Sequence, residues 1–252
     1  MGYTGNQDGV QVGCDMNIII VERDEIRDGK VFLCGARARH VREVLQKQRG
    51  DTVRLGVLNG PLAEATIIAQ DDDRLTLLCA FQEEPRPDPV GVDLILAMPR
   101  PKVMRRLWPQ LTALGVGRIR VVNAEKVERY YFDSTALNEE AIRTACIEGL
   151  QQCGCTRLPD VSIHLELKPL IEDQLTAYVD KRIAVPGAVG GLHEESMSDR
   201  VLLAIGPEGG WTSYERELFR CNGFREVGMG TRILRSDTAC IAAVALLRDA
   251  LA

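Results

Sequence analysis

Histidine is scarce in this sequence, with three residues in 252, and its eight cysteines never fall at Cys-x-x-Cys spacing. Structural zinc sites draw their ligands mostly from those two residue types, so the pattern argues against a metal centre. The cysteines (Cys14, Cys34, Cys79, Cys146, Cys153, Cys155, Cys221 and Cys240) also make a poor disulfide framework, because such frameworks staple small secreted chains. Reduced thiols in a cytoplasm fit better. Long apolar runs are missing too, and nothing approaches the roughly 18 residues that cross a bilayer. Aromatics are sparse at 5%, which leaves packing to aliphatic side chains. The opening Met1 to Asp15 is polar and Gly-rich, without the basic, apolar and cleavage regions of a signal peptide. It reads as a disordered leader or a vector-derived remnant, with structure starting near Met16.

Net positive charge is also absent. The formal charge is −5, which gives a phosphate backbone no overall attraction. The distribution changes that picture. Residues 91–130 carry eight basic side chains (Arg100, Lys102, Arg105, Arg106, Arg118, Arg120, Lys126 and Arg129) against Asp93, Glu125 and Glu128, a local +5. Such a cluster is either a solvated helix face or an electrostatic footprint for nucleic acid. Hydrophobic content of 45% with 27% charge is that of a globular, non-fibrous chain.

Two grammars divide the sequence. Asn17–Val21, Lys30–Cys34, Thr52–Val57, Ala63–Ala69 and Arg74–Phe81 are short β-prone runs separated by Asp28-Gly29, Arg49-Gly50-Asp51, Asn59-Gly60-Pro61 and Asp71-Asp72-Asp73. One helix is expected among them, Ala36 to Gln48, with Val41, Val44 and Leu45 on one face. Residues 16–84 therefore read as a small β-barrel with one helix. Residues 85–91 are a Pro- and Glu-rich linker. From 92 to 252 strands and helices alternate: strands at Val92–Ala97, Arg118–Val122, Arg182–Val185, Val201–Ile205 and Phe224–Val227, helices at Val103–Leu114, Glu139–Gln152, Tyr214–Cys221 and Ser236–Leu251. That alternation implies an α/β fold with a parallel sheet covered on both faces.

Two segments of this second part can carry chemistry. The apolar strand ending at Ile205 runs into Gly206-Pro207-Glu208-Gly209-Gly210-Trp211-Thr212, at the carboxyl end where α/β proteins place ligands. A tight turn with no ligand would look similar. A second loop, Gly228-Met229-Gly230-Thr231-Arg232-Ile233-Leu234-Arg235, follows another strand and precedes a helix for which Ser236 is the candidate N-cap. Small residues in that helix (Ala239, Cys240, Ala242, Ala243 and Ala245) permit close approach, either to a loop beneath it or to a second subunit. No Gly-x-x-x-x-Gly-Lys-Ser/Thr is present, and the second loop lacks the third glycine of a dinucleotide fingerprint. Neither ATP nor NAD is therefore the indicated ligand.

Gly206-Pro207-Glu208-Gly209-Gly210 followed by Gly230-x-Arg232-Ile233-Leu234-Arg235-x-Asp237-Thr238-Ala239 resembles the RsmE family of SPOUT methyltransferases, whose usual forms are GPEGG and LGxRILRxETA. His40-Val41-x-x-Val44-Leu45 and Gly50-Asp51 are similar to the signature of that family's PUA-like RNA-binding barrel, so the likeness spans Met16 to the end. The resemblance implies a trefoil-knotted methyltransferase domain, a homodimer, S-adenosyl-L-methionine as cofactor, and methylation of a uracil N3 in 16S ribosomal RNA of the small subunit. It places the cofactor on Val185, Pro186, Gly187, Ile205, Gly206, Pro207, Glu208, Gly209, Gly210, Met229, Gly230, Ile233, Leu234, Arg235, Ser236, Thr238 and Ala239. The distribution of basic residues gives RNA to Arg37, His40, Arg42, Arg100, Lys102, Arg105 and Arg106, with Arg100 and Lys102 expected on a different surface from the glycine loops.

The sequence departs from the family at Thr112-Ala113-Leu114-Gly115, where a glutamate usually precedes Leu-Gly, at Cys155, where an arginine is usual, at Leu45-Gln46-Lys47, where Leu-Arg-Leu is common, and at Asp237, which replaces a glutamate. Loss of the N3 proton puts negative charge on the flanking carbonyl oxygens, and an arginine nearby would stabilise it. Arg235 and Arg232 are the candidates, with a surface ion pair as the alternative for each. A methyltransferase acting on another RNA or atom, and a catalytically silent RNA-binding or ribosome-assembly protein, are the competing readings.

Overall fold

The computed structural model describes residues 18–71, 73–82, 91–192 and 198–251. The expected leader and nearly all of the expected linker lie outside these residues. Two six-stranded sheets make up the protein. The first contains β1 (Ile19–Val21), β2 (Ile26–Arg27), β3 (Lys30–Cys34), β4 (Thr52–Val57), β5 (Leu62–Gln70) and β6 (Arg74–Phe81), in the order β1-β4-β5-β6-β3-β2. All its pairings are antiparallel except β1 with β4. Asp28 and Gly29 both take positive φ, 50° and 72°, the backbone that a two-residue hairpin between β2 and β3 demands. Alternation does the rest. Ala63, Ala65 and Ile67 of β5 and Leu75 and Leu77 of β6 are buried, while the residues between them are not.

The helix of this part is shorter than its periodicity suggests. α1 (Gly35–Arg39) passes into a π-helical turn, His40–Val44, closed by Leu45 N–H donating to His40 O at 3.0 Å. The wider turn rotates the side chains that follow it. Val41 is fully buried, but Val44, expected on the same face, is 64% exposed. Gln46 then takes φ 53°, and the expected helix to Gln48 does not form.

The second sheet contains β7 (Val92–Ala97), β8 (Arg118–Val122), β9 (Asp160–His164), β10 (Asp180–Ala184), β11 (Val201–Ile205) and β12 (Arg225–Val227) in the order β12-β10-β11-β7-β8-β9, and every pairing is parallel. β7 is buried throughout. Its Leu94 and Leu96 point to one core with α2 (Pro101–Ala113), α3 (Glu139–Cys153) and α6 (Ser236–Leu251). Its Ile95 and Ala97 point to the other, with α4 (Leu167–Asp173) and α5 (Ser213–Cys221). α2 opens on Pro101, whose fixed φ suits a first helical position. α2 and α3 touch closely at Gly149, where an added Cβ would lie 2.3 Å from Pro109 O. β9 and α4 went unread in the sequence because one is a half-exposed edge strand and the other spans seven residues.

The two sheets meet at a seam. Ile18 N–H donates to Gln151 O (3.1 Å), Asn59 N–H to Thr156 O (2.7 Å), and Thr156 Oγ1 to Gly60 O (2.6 Å).

A buried ion pair secures β10. Arg182 is fully buried, and its Nε and Nη2 donate to Asp180 Oδ1 and Oδ2 at 2.8 and 2.5 Å, while Nη1 donates to Leu192 O. Burial by itself raises the Asp180 carboxyl, but Arg182 and Arg225 outweigh it and hold the group below its ordinary value. Asp180→Ala leaves the Arg182 charge buried and uncompensated, so it should cost about 3–5 kcal/mol, read as a lowered urea midpoint. In the wild type, the carboxyl's share of stability should be present above the unfolded value near pH 4 and fade as pH falls through the lower folded value.

Candidate functional site

A cavity of about 280 Å³ opens at the carboxyl ends of β10, β11 and β12, against the first turns of α6. It is lined by Ala184, Val185 and Pro186 after β10, by Ile205 to Glu208 with Gly210 and Trp211 after β11, and by Val227, Met229, Gly230 and Arg232 to Ser236 after β12, with Ala239 from the helix. Most residues singled out in the sequence thus come together. Three do not line it. Gly187 forms the turn just beyond Pro186 with φ 76°, Gly209 offers its carbonyl to Lys126 Nζ (2.8 Å), and Thr238 is exposed on α6. Ala184, Trp211 and Val227 were missed. Two of them are strand ends that carry no motif, while Trp211 directly follows the Gly-Gly pair.

The glycines act for different reasons. Gly210 and Gly230 take φ 67° and 92° with nothing within 4 Å of an added Cβ, so their constraint is conformational. Gly206 has the indole of Trp211 against it, with Nε1 3.0 Å from an added Cβ. Gly228 is a crossing point. An added Cβ would lie 2.4 Å from Ala188 O, and Gly228 N–H donates to Gly190 O at 2.7 Å. Val185 N–H donates to Val227 O at 2.9 Å, so the segment after β12 rests directly on the segment after β10.

The loop after β11 is pinned from both sides. Thr212 caps α5 in a reciprocal box with Glu215, whose Oε2 accepts Thr212 N–H at 2.8 Å. Glu215 is 4% exposed, and its Oε1 accepts Glu125 N–H at 2.8 Å. The chain after β8 therefore holds the loop through both Glu125 and Lys126. α6 begins at Ser236 itself, so this buried serine is the first helical residue and not the cap expected of it.

The walls are largely apolar, from Val185, Ile205, Met229, Ile233 and Leu234. Trp211 Nε1 is buried with no hydrogen-bond partner among the described residues. Beneath the site, burial pushes the Cys240 thiol up to about 12, which keeps it protonated. Arg235 Nε lies 3.7 Å from Asp237 Oδ1, and Arg106 of α2 reaches the same carboxylate at 3.5 Å. α2 packs against α6, which brings Arg106 of the basic segment to Asp237 beside the cavity-lining Arg235. Arg232 is exposed at the mouth and makes no ion pair among the described residues. Among the other basic residues, Arg37 is bound to Glu25 and Ile20 O, Arg42 donates to Asp71 O (2.9 Å), and Arg105 to Thr135 Oγ1 (2.8 Å). His40 is half-buried, and Arg100 and Lys102 are exposed. No group of three potential metal ligands occurs among the described residues.

The chain matches the RNA methyltransferase domain family over residues 86–248. It is 31% identical over 240 residues to the ribosomal RNA small subunit methyltransferase E of Treponema pallidum (strain Nichols), covering 92% of this chain and 90% of that protein. Two solved structures share the fold. One is a Legionella pneumophila methyltransferase with bound cofactor SAM, at 24% identity and TM-score 0.74, covering 92% of this chain and 98% of that one. The other is a Neisseria gonorrhoeae ribosomal RNA small subunit methyltransferase E bound to S-adenosyl methionine, at 21% identity and TM-score 0.74, covering 92% and 97%.

The pinning by Glu215 can be tested without reference to any ligand. Glu215→Ala leaves the Glu125 and Thr212 N–H groups without their acceptor, which should cost roughly 1–3 kcal/mol. Hydrogen exchange should quicken in Gly206 to Thr212 and stay unchanged in β7, whereas equal protection in both variants would remove Glu215 from this role.

Proposed function

Since this chain belongs to the ribosomal RNA small subunit methyltransferase E family, we propose that it methylates a uracil N3 in 16S ribosomal RNA with S-adenosylmethionine as methyl donor. The single observation that carries the reading is the cavity built from three loops at one sheet edge, which gathers most of the residues of the two family motifs. Its composition fits the cofactor. Apolar walls from Val185, Ile205 and Leu234 suit the faces of an adenine, and loop backbone groups suit its edge and the ribose. We assign cofactor binding to the lining residues other than Arg232 and leave out Gly187, Gly209 and Thr238. The contact of Gly228 with Ala188 and Gly190 supports a knotted path, in which the chain after β12 passes over the loop after β10.

When bound, S-adenosylmethionine supplies an electrophilic methyl group on its sulfonium sulfur. The work left to the chain is alignment of the uracil ring and management of one proton. As N3 loses its proton, charge spreads to the flanking carbonyl oxygens, and Arg232 at the cavity mouth is placed to meet it. Arg235 shares Asp237 with Arg106, so it is better suited to shape the rim. A stacked uracil must leave its helix to enter.

We read residues 16–84 as a PUA-like RNA-binding barrel, supported by the largely antiparallel first sheet with one short helix, and residues 92–252 as the methyltransferase domain. RNA would lie on Arg100, Lys102, Arg105 and Arg106, with His40 and Arg42 from the first part. α6 leaves Ala245 and Leu246 exposed, which supports a homodimer through that helix. A cytoplasmic setting fits the ribosomal substrate and the seven free cysteines of the described residues.

Undermethylated small subunits given labelled S-adenosylmethionine should take up methyl at a uracil N3. Label at another atom, or none, would refute the assignment. Arg232→Ala should lower kcat by about a hundredfold while leaving cofactor affinity in place.

Cofactor binding is separable from turnover. Gly206→Val drives a side chain into the Trp211 indole, and Gly230→Val forces a β-branched residue to φ 92°. Calorimetry should show no S-adenosylmethionine binding for either variant, and wild-type affinity in both would displace the cofactor from this cavity.

A further inference from the structure

Exposed aromatic side chains are few in this aromatic-poor protein, and one of them stands in the basic segment. Tyr130 is 64% exposed, on the 3-10 turn Arg129–Asp133 that follows β8. Its ring is braced by Tyr131 in an edge-on contact, with centroids 4.9 Å apart at 82°. Tyr131 and Phe132 in turn pack against the core formed with α2 and α3. A ring held in this way keeps a free face with little conformational freedom left to lose. The Tyr131 hydroxyl pushes Tyr130's ionisation up, against the pull of the nearby Arg100 charge. Arg100, Arg129 and Glu128, all exposed, stand around the phenol.

The position of this ring relates it to the cavity. β7, β8, β10, β11 and β12 are parallel, so the residues that follow each strand share one edge of the sheet. Arg100 follows β7, Tyr130 follows β8, and the cavity follows β10, β11 and β12. The connection carrying Tyr130 is tied to the cavity loop itself, by Lys126 Nζ on Gly209 O and by Glu125 N–H on Glu215. Single-stranded nucleic acids are held by this combination, an aromatic face for a base and flanking cations for its phosphates.

We propose that Tyr130, flanked by Arg100 and Arg129, is a stacking platform for an unpaired base of the RNA substrate next to the cavity. The proposal rests on the RNA methyltransferase reading above. One base stacks on the phenol ring, the adjoining phosphates meet the guanidinium groups, and the neighbouring nucleotide is left free to turn into the cavity. The exposed Arg100 and Arg129, inside a segment that carries a local excess of basic residues, suit an anionic chain.

The test uses the full chain and a single-stranded oligouridine of about ten nucleotides, a length within the range that one such groove binds. Tyr130→Ala should weaken binding about tenfold, and Tyr130→Phe should keep it within about twofold, because the ring and not the hydroxyl does the stacking. Arg129→Ala should flatten the dependence of log Kd on log salt by about one unit. Calorimetric affinity for S-adenosylmethionine should be the same in all three variants, and that control shows them folded. Equal oligouridine affinity of Tyr130→Ala and wild type would overturn the platform alone. No oligouridine binding by the wild type would overturn the platform together with the RNA assignment. Light scattering that shows Tyr130→Ala changing the oligomeric state would instead make this face a protein contact, and would also overturn it.

Discussion

At Gly228 the backbone after β12 passes so close to Ala188 that one methyl group would collide with a carbonyl oxygen. Much of the second half of the protein is arranged around that crossing. The Gly228 amide bonds Gly190, the Val185 amide bonds Val227, and the two loops leave the sheet as one stacked unit. The loop after β11 closes the third side of the cavity, held by Glu215 and Lys126 at a distance the glycine motif alone would not set. Because all three loops are fastened by hydrogen bonds between protein groups, the cavity is largely formed before any ligand enters, and less ordering entropy has to be met on binding.

Charge is organised around the same edge. A chain carrying −5 overall concentrates basic residues where β7 and β8 end, and α2 delivers Arg106 to Asp237 in the first turn of α6. A carboxylate there is favoured by the helix dipole, and it draws both Arg106 and Arg235 to the rim. Arg232, exposed at the cavity mouth, makes no such pair among the described residues. The acidic balance of the rest of the surface then works for specificity, since it gives nucleic acid little reason to settle elsewhere.

Much of this was legible in the sequence, because strands and glycine loops are short-range features. β11 could be read as Val201–Ile205 to the residue, since a fully buried parallel strand is a continuous apolar run ended by Gly-Pro. The cavity lining followed from motif positions. What stayed hidden were contacts between distant segments. The sequence indicated that Gly206 needs to be small, but a ligand seemed the reason, and the neighbour that requires it is Trp211. Arg106 lies far from Asp237 along the chain, and only the packing of α2 on α6 joins them. The π-helical turn at His40–Val44 escaped because a widened turn keeps apolar spacing while changing which side chains it buries.

The departures from the family motif also gain meaning from where they fall. Ala113, which stands where the glutamate usually precedes Leu-Gly, is half-buried as the last residue of α2. Cys155 packs with Ile18, Ile20 and Leu150 at the seam between the two sheets. Neither position belongs to the exposed basic stretch from Arg100 to Arg106, and neither lines the cavity. An arginine at 155 would bring a charge to an apolar junction already closed by Thr156, Asn59 and Gly60. The cysteine instead adds to the apolar contact that fixes the first sheet against α3. Cys155 thus bears on how the first sheet is joined to α3, while Asp237, standing where the family motif has a glutamate, falls at the cavity rim between Arg106 and Arg235.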